Sequence, residues 1–199
     1  MSVRAVLGLF IGLLFFLLMM AIFNNRVINT TVLIQEGHVG RTKGNTGSIH
    51  NGLIESKWNT IVGKEVERIL EAKDIDVTRV GAKIPICNAS IAVAIHFDGS
   101  ATKCATGASI GYNSASQSKA MAKRWRAQYS SFFPFKWHKD NFTRNLSHYY
   151  GFSQVQTSKG FLVLELGELT CKKQTDWLEP RLKQVASKIA NFIIKELER

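Results

Sequence analysis

Three polar residues of this chain lie within or directly after apolar runs that have the pattern of buried strands. His38 follows the apolar residues of 31–34, His96 follows IAVAI at 91–95, and Glu165 lies inside FLVLEL at 161–166. A carboxylate in a buried strand is unfavourable unless it is paired or takes part in chemistry. Imidazoles and carboxylates are also the groups that bind divalent metals and transfer protons. We therefore expect these side chains to belong to a functional site.

The expected strands indicate where this site lies. In an open α/β sheet, ligands bind beyond the carboxyl ends of the strands, so His38 and His96 would face one crevice. Glu55 starts an amphipathic helix predicted over 54–72 and can reach the same edge. Two neutral imidazoles and one carboxylate suit a catalytic zinc that keeps its fourth position for water. The sequence predicts His38, Glu55 and His96 as ligands of one zinc ion.

The pattern of strands and helices predicts the fold that holds these residues. Apolar strands are expected at 31–34, 75–79, 91–95 and 161–166, and a second amphipathic helix at 177–197. Strands that are apolar throughout and alternate with helices are typical of parallel sheets covered on both faces. We predict a single α/β domain over 31–199, with a twisted, mostly parallel central sheet flanked by helices on both faces.

The beginning of the chain predicts a membrane segment. Residues 5–23 read AVLGLFIGLLFFLLMMAIF, nineteen residues without a charge. About 20 apolar residues span a bilayer as a helix, and the run exceeds the apolar part of a usual cleaved signal. We predict an N-terminal transmembrane helix, a signal anchor over 1–23, followed by a linker over 24–30. The domain would then lie on the periplasmic or other extracytoplasmic side of the cytoplasmic membrane, or be secreted if the segment is cleaved.

The charge of the chain favours an anionic partner. The formal net charge is +11, with a pI near 9.8. A basic and aromatic insertion is predicted at 117–160, where seven basic residues and one acidic residue lie between 117 and 145. One interpretation is a solvated helix face followed by a packed loop. The other is a wall for an anionic polymer, or a surface that rests on the membrane.

Three cysteines, Cys87, Cys104 and Cys171, form no close pair that would indicate a thiolate metal site. Cys104 follows His96 and Cys171 follows Glu165, so the two could meet at one edge of the sheet. A disulfide between them is one hypothesis. The alternative is that each cysteine is a small buried apolar residue.

Several segments resemble the zinc-dependent N-acetylmuramoyl-L-alanine amidases, the family of the bacterial cell-separation amidases and of many phage and spore lysins. TVLIQEGHVG resembles the family's opening strand and glycine–histidine turn, and GLIESKWN its segment with a ligand glutamate. DIDVTR resembles its second strand, AVAIHFDGS its histidine block, and FLVLELGELT the block with its catalytic glutamate. The resemblance extends from Thr31 to Leu197.

This resemblance implies a function for each of the four residues. His38, Glu55 and His96 would bind the zinc ion, and Glu165 would accept the proton of the attacking water and pass it to the leaving amine. The substrate would be peptidoglycan, cleaved at the amide that joins N-acetylmuramic acid to L-alanine of the stem peptide. Membrane contact would come from the N-terminal helix, and no nucleic acid is expected as a partner.

The chain departs from the family pattern around these residues. Gln35 and Glu36 replace an aspartate and a proline, Asp98 replaces an asparagine, and Glu168 replaces a phenylalanine. The usual arginine and asparagine before the third strand are reduced to CNAS around Asn88. These changes leave the four chemical positions intact but leave the shape of the substrate groove open. Glu36, so near the proposed metal, is the first position to inspect for altered substrate contacts.

Other residues and functions fit parts of the sequence. His50 is an alternative ligand, although a loop position favours contact with water, and His138 and His148 are expected at the surface or against polysaccharide. A catalytically inactive amidase-like module that binds cell wall or regulates a partner is the first alternative function. A membrane-disrupting or nucleic-acid-binding protein is the second, but it gives no role to the set of four residues. The sequence does not indicate an oligomeric state.

Overall fold

The computed structural model describes residues 27–199. The predicted signal anchor at 1–23 lies outside the described residues. Within 27–199, no helix has the length and apolar character needed to cross a membrane. The first strand begins at Ile28 rather than at Thr31, so residues 28–30 belong to the sheet and not to the predicted linker.

A five-stranded sheet forms the centre of the domain, in the order β4-β1-β5-β7-β6. Four of its strands are parallel, and the edge strand β6 runs antiparallel to β7. A separate hairpin, β2 and β3, lies ahead of the first helix. The strands are β1 Ile28–Glu36, β2 Ile49–His50, β3 Leu53–Ile54, β4 Val77–Val80, β5 Cys87–Asp98, β6 Ser109–Tyr112 and β7 Val155–Glu168. The predicted mostly parallel sheet is confirmed, whereas the short strand β6 was not predicted.

Among residues 27–199, five α-helices accompany the sheet, and they do not cover its faces equally. They are α1 Glu55–Glu71, α2 Ser116–Ser130, α3 Arg144–Ser147, α4 Lys172–Leu178 and α5 Leu182–Leu197. The long helices α1, α2 and α5 pack together on one face. The other face is covered by the four-residue helix α3, a 3₁₀ turn at Tyr150–Ser153 and loops. The sequence predicts helices flanking both faces. The second face carries only short helical segments and loops, so the prediction was wrong for that face.

Burial on both faces explains why the central strands are apolar throughout. Ile34, Val93 and Ile95 point towards the long helices, while neighbouring residues such as Leu33 and Ala94 point to the other side. All five are almost completely removed from solvent. Successive side chains of a strand alternate between its faces, so two covered faces require apolar residues at every position.

The predicted helix over 177–197 includes the end of α4 and the whole of α5, which are separate helices. A 3₁₀ turn at Glu179–Arg181, which contains Pro180, separates α4 from α5. Proline has no N–H to donate within a helix, and its ring is tolerated only at a helix start. The apolar side of α5 nevertheless lies where its spacing indicates, with Val185, Ile189 and Ile193 fully buried.

The aromatic residues of the predicted basic insertion are largely part of the core. Trp125, Tyr129 and Phe133 are at most 2% exposed. They form a stack in which the rings of Trp125 and Tyr129 are 4.8 Å apart and those of Tyr129 and Phe133 are 5.6 Å apart. For these residues the packed interpretation is correct, and they are not available as a wall for a polymer.

The hypothesis of a disulfide is confirmed. Cys104 is bonded to Cys171, and the third cysteine, Cys87, is buried and free. The bond joins the loop after β5 to the segment that follows β7. It therefore ties together two segments that leave the sheet at the same edge.

Candidate metal centre

His38, Glu55 and His96 meet at the carboxyl edge of the parallel strands. His38 follows β1, Glu55 is the first residue of α1, and His96 lies near the end of β5. One potential ligand atom from each lies within 4.8 Å of the other two. Glu55 and His96 are buried, and His38 is partly exposed. The structure thus brings together the three residues that the sequence predicts as ligands.

Two glycines make room for this cluster. A Cβ on Gly37 would lie 2.3 Å from Cε1 of His96, well inside van der Waals contact. A Cβ on Gly47 would lie 3.0 Å from both Oε2 of Glu55 and the ring of His38. Gly47 also has a φ of +93°, which a residue with a side chain rarely adopts. The glycine-rich loop is therefore required by the close approach of backbone and ligand side chains.

The carboxylate of Glu55 lies between the two imidazoles. Its Oε1 atom is 3.4 Å from Nε2 of His38 and 3.0 Å from Nδ1 of His96. Its Oε2 atom accepts a hydrogen bond of 2.8 Å from the backbone N–H of Ser48. The Oε1 atom also accepts a hydrogen bond of 3.2 Å from the backbone N–H of Phe97, so both oxygens are fixed by the backbone and Oε1 faces the two rings as well.

The hydrogen bonds of His38 assign its proton. Its Nδ1 atom is 3.0 Å from the carbonyl oxygen of Asn45, which can only accept. Nδ1 therefore carries the proton, and in the neutral ring Nε2 directs a lone pair towards Oε1 of Glu55. A lone pair facing a carboxylate oxygen is unfavourable unless a positive charge lies between them. The donor set therefore fits a bound cation, and for nitrogen and carboxylate donors zinc is a suitable one.

The pKa values of Glu55 and His38 also indicate a site suited to positive charge. Burial opposes ionisation of Glu55, but hydrogen bonds and charge from His38 and His96 outweigh it and hold the pKa of Glu55 well below its usual range. Burial lowers the pKa of His38, but the hydrogen bond of its protonated ring to Glu55, the charge of Glu55 and the hydrogen bond to Asn45 together outweigh burial, and the pKa is raised. Both directions mean that the cluster favours positive charge on the imidazole side.

Glu165 lies next to the candidate ligands. In the sheet it is paired with His96 of β5 on one side and with Ser109 of β6 on the other. Its Oε2 atom is buried and has no hydrogen-bond partner among residues 27–199. Burial raises the pKa of Glu165 well above its usual range, and the nearby carboxylates of Glu55 and Asp98 raise it further. The carboxylate is thus available to a bound molecule and has a raised affinity for a proton.

A cleft of about 620 Å³ contains all four residues. Its walls include Arg41 from the loop after β1, and Phe142, His148, Tyr149 and Tyr150 from the segment around α3. Sequence reasoning placed His148 at the surface or against polysaccharide, and the structure places it, exposed, on this wall. Tyr149, whose hydroxyl is 3.4 Å from Nε2 of His96, was not predicted as a functional residue. The only signal in the sequence was the position of Tyr149 within the basic and aromatic insertion.

The other two histidines lie away from the cluster. His50 lies on the hairpin strand β2 and is not part of the ligand cluster. The ring of His138 packs against Phe142 at 4.1 Å.

Glu36, the first position to inspect for altered substrate contacts, is not among the residues that line the cleft. Glu36 is 2% exposed, its Oε1 atom accepts a 2.7 Å hydrogen bond from Arg79, and its Oε2 atom accepts one from Thr60. It points towards α1, where a Cβ on Gly63 would lie 2.7 Å from it. Glu36 is therefore a buried structural ion pair that joins β1, β4 and α1.

Of the other departures, Glu168 has a structural role. Glu168, fully buried, accepts hydrogen bonds from the backbone N–H groups of Cys104 and Thr106 and from the hydroxyls of Thr106 and Thr170. It thus holds the same loop that the disulfide holds. Asp98 lines the cleft, and burial raises its pKa, with the charge of Glu168 as a smaller contribution.

An α/β domain with two histidines and a glutamate at its sheet edge, beside a buried carboxylate, has the arrangement of a metal-dependent hydrolase. The comparison with known families is more specific. The sequence model of the Amidase_3 family, N-acetylmuramoyl-L-alanine amidase, matches residues 32–195. The chain belongs to this family. No curated protein sequence matches it.

Solved structures of amidases have the same fold. An N-acetylmuramoyl-L-alanine amidase from Clostridium difficile 630 is 21% identical, with a TM-score of 0.64 over 86% of this chain and 97% of that one. The catalytic domain of CwlV from Bacillus (Paenibacillus) polymyxa is also 21% identical, with a TM-score of 0.64 over 85% and 98%. Ami1 from Mycobacterium smegmatis is 15% identical, with a TM-score of 0.67 over 88% and 99%. At these identities the likeness concerns the fold, and the chain is a divergent member of the family.

Proposed function

We propose that this protein is a zinc-dependent N-acetylmuramoyl-L-alanine amidase, with His38, Glu55 and His96 as the zinc ligands and Glu165 as the catalytic acid and base. The family assigns the enzyme class, and the zinc site and the roles of the four residues are our proposal. The observation that carries it is the convergence of the three donor side chains. Beside them, Glu165 is paired with His96 in the sheet, and its Oε2 atom has no hydrogen-bond partner among residues 27–199.

Zinc bound by these residues would supply Lewis acidity, which polarises the scissile carbonyl and makes water acidic enough to attack near neutral pH. Glu165 accepts the proton of the attacking water, because it lines the cleft and its Oε2 atom has no hydrogen-bond partner in the described structure. The raised pKa of Glu165 then favours retention of this proton until it is delivered to the leaving amine of L-alanine.

The Cys104–Cys171 disulfide supports a location of the domain outside the cytoplasm, because disulfides persist in oxidising compartments. That location agrees with a peptidoglycan substrate and with the apolar character of residues 5–23. We therefore retain the extracytoplasmic side of the membrane as the proposed site of action.

The substitution Glu165→Gln tests the role of the carboxylate. Glutamine has the same size but cannot accept the proton of water, so we expect amide hydrolysis to fall by at least about 100-fold, the usual contribution of a general base. Zinc content should remain at one ion per chain, because Glu165 is not one of the proposed ligands. The measurement pairs hydrolysis of purified peptidoglycan with metal analysis. Near-normal turnover by the variant would show that Glu165 is not the base.

A further inference from the structure

Tyr149 and Gln35 form a hydrogen-bonded pair behind one of the proposed zinc ligands. The hydroxyl of Tyr149 lies 2.8 Å from Oε1 of Gln35 and 3.4 Å from Nε2 of His96. The two partners are 114 residues apart in the chain. Tyr149 precedes the 3₁₀ turn on the second face of the sheet, whereas Gln35 is a buried residue of β1.

The orientation of Gln35 is fixed by its surroundings. Its Nε2 atom donates to the carbonyl oxygens of Glu36 at 3.0 Å and Gly81 at 3.2 Å. Both side-chain amide protons are thus directed to backbone carbonyls, and Oε1 must face Tyr149. Because an amide oxygen only accepts, the phenolic proton of Tyr149 is donated to Gln35.

The direction of this bond decides what Tyr149 offers to His96. With its proton given to Gln35, the phenolic oxygen has only lone pairs left for the imidazole, and Nε2 of His96 carries the proton that faces them. Nδ1 of His96, 3.0 Å from Oε1 of Glu55, is then the nitrogen available to a metal. The other two ligands are held in the same way, with Nδ1 of His38 on a carbonyl oxygen and Oε2 of Glu55 on a backbone N–H.

We propose that Tyr149 and Gln35 are positioning residues that select the Nε2–H tautomer of His96 and orient its ring for metal binding through Nδ1. The inference rests on the proposed zinc site. Partners of this kind orient metal-bound histidines, and their loss commonly weakens metal affinity by about 10- to 100-fold. It also assigns a role to Gln35, which departs from the family pattern.

The variant Tyr149→Phe tests the inference, because it removes the hydroxyl and keeps the ring that packs against Phe152 and Phe161. We expect zinc affinity, measured on the purified 199-residue chain by competition with a chromophoric chelator, to fall about 10-fold. Tyr129→Phe is the matched control, since the buried hydroxyl of Tyr129 donates to the carbonyl of Leu166 and Tyr129 is not among the residues that line the cleft. Zinc affinity within about twofold of the wild type for Tyr149→Phe would overturn the inference, as would equal losses in the two variants.

Two further measurements separate positioning from simple packing. Thermal unfolding of the zinc-free chain should be similar for Tyr149→Phe and Tyr129→Phe, since each variant loses one hydroxyl hydrogen bond. A selective loss of zinc-free stability in Tyr149→Phe, large enough to account for the affinity change, would contradict the inference. Ring ¹⁵N spectra of the zinc-loaded wild type should show His96 protonated on Nε2 and His38 on Nδ1. A proton on Nδ1 of His96 would overturn the inference directly.

Gln35 supplies an independent arm of the test. Gln35→Glu keeps an acceptor for the phenolic proton and should hold zinc affinity closer to the wild type than Gln35→Met, which has none. The zinc affinity of the double variant Tyr149→Phe/Gln35→Met should be no more than about twofold below that of the single variant with the lower affinity, because both residues act through one chain of hydrogen bonds. A loss of affinity equal to the product of the two single losses would show that Tyr149 and Gln35 act independently and would contradict the inference. If the wild type fails to bind zinc, the proposed function fails and the inference with it.

Discussion

Gly37 is required because the imidazole of His96 occupies the space where its Cβ would lie. The closest approach would be 2.3 Å to Cε1 and 2.5 Å to Nδ1 of that ring. The collision is purely steric, since Gly37 is not among the residues with positive φ. A side chain at this position would therefore displace a proposed ligand without straining the local backbone.

The variant Gly37→Ala should lose zinc affinity and activity by at least about 10-fold, as expected when a ligand is poorly oriented. Gly40→Ala is its control, because Gly40 has nothing within 4 Å of the added Cβ but a φ of +83°. We expect the control to lose about 1 kcal/mol of stability and little zinc affinity. Chelator competition and thermal unfolding of both variants measure the difference. Equal zinc affinities would contradict the steric account.

Glu36 illustrates how a residue beside the site can serve the fold alone. Arg79→Met should destabilise the protein by about 3 kcal/mol, because it leaves the carboxylate of Glu36 buried without its partner. Arg68→Met is the matched control, since Arg68 is exposed in its pair with Glu65, and we expect a much smaller loss of stability there. Urea unfolding measures both. A loss for Arg79→Met as small as that of the control would show that the buried pair is unimportant for stability.

At the scale of elements, one covalent connection and one set of hydrogen bonds hold the loop that follows β5. The disulfide bonds Cys104 to Cys171, and Glu168 accepts hydrogen bonds from the backbone of Cys104 and Thr106. Gly99 and Thr170, which flank this connection, line the cleft. The loop is thereby fixed to the end of β7, near the catalytic carboxylate that we propose.

Removal of the disulfide by Cys104→Ser/Cys171→Ser should lower the free energy of unfolding by about 2 to 4 kcal/mol, because the bond closes a loop with a sequence separation of 67. Addition of reductant should destabilise the wild type by a similar amount and leave the double variant unchanged. Urea unfolding with and without reductant measures both effects. A double variant as stable as the oxidised wild type would contradict this contribution.

The elements also show what the sequence could predict. The long strands and α1 were predictable because their apolar patterns are continuous, and the ends of those strands located His38, His96 and Glu165. Helix α2 was not recognised as a packed element because lysines and arginines surround its buried residues. Met121, Ala122, Trp125 and Tyr129 do have helical spacing, so this signal was present.

Contacts between distant residues explain the other failures. Glu36 pairs with Arg79 across 43 residues, and nothing local in the sequence distinguishes a buried ion pair from a substrate contact. Strand β6 has only four residues and includes Gly111, so its alternation is too short to read. Tyr149 reaches His96 only through the packing of the second face. Such partners depend on the tertiary fold, and periodicity carries no information about them.

For the whole molecule, one fold brings four residues together in the cleft where we propose that peptidoglycan is cleaved. The net charge of +11 favours binding to an anionic cell-wall polymer, but it does not select the bond that is cut. The chemistry of the cleft does so, through a proposed metal and a carboxylate that transfers a proton. The bond cleaved and its dependence on metal are therefore the properties to measure.

The most direct measurement is mass spectrometry of the products released from purified sacculi by the 199-residue chain, with a chelator, without it, and after zinc is restored. The account predicts intact stem peptides with a free L-alanine amino terminus and glycan strands that keep their length. Release should stop with the chelator and return with zinc. Cleavage at another bond, or release of stem peptides that persists after complete removal of metal, would contradict the proposed zinc amidase.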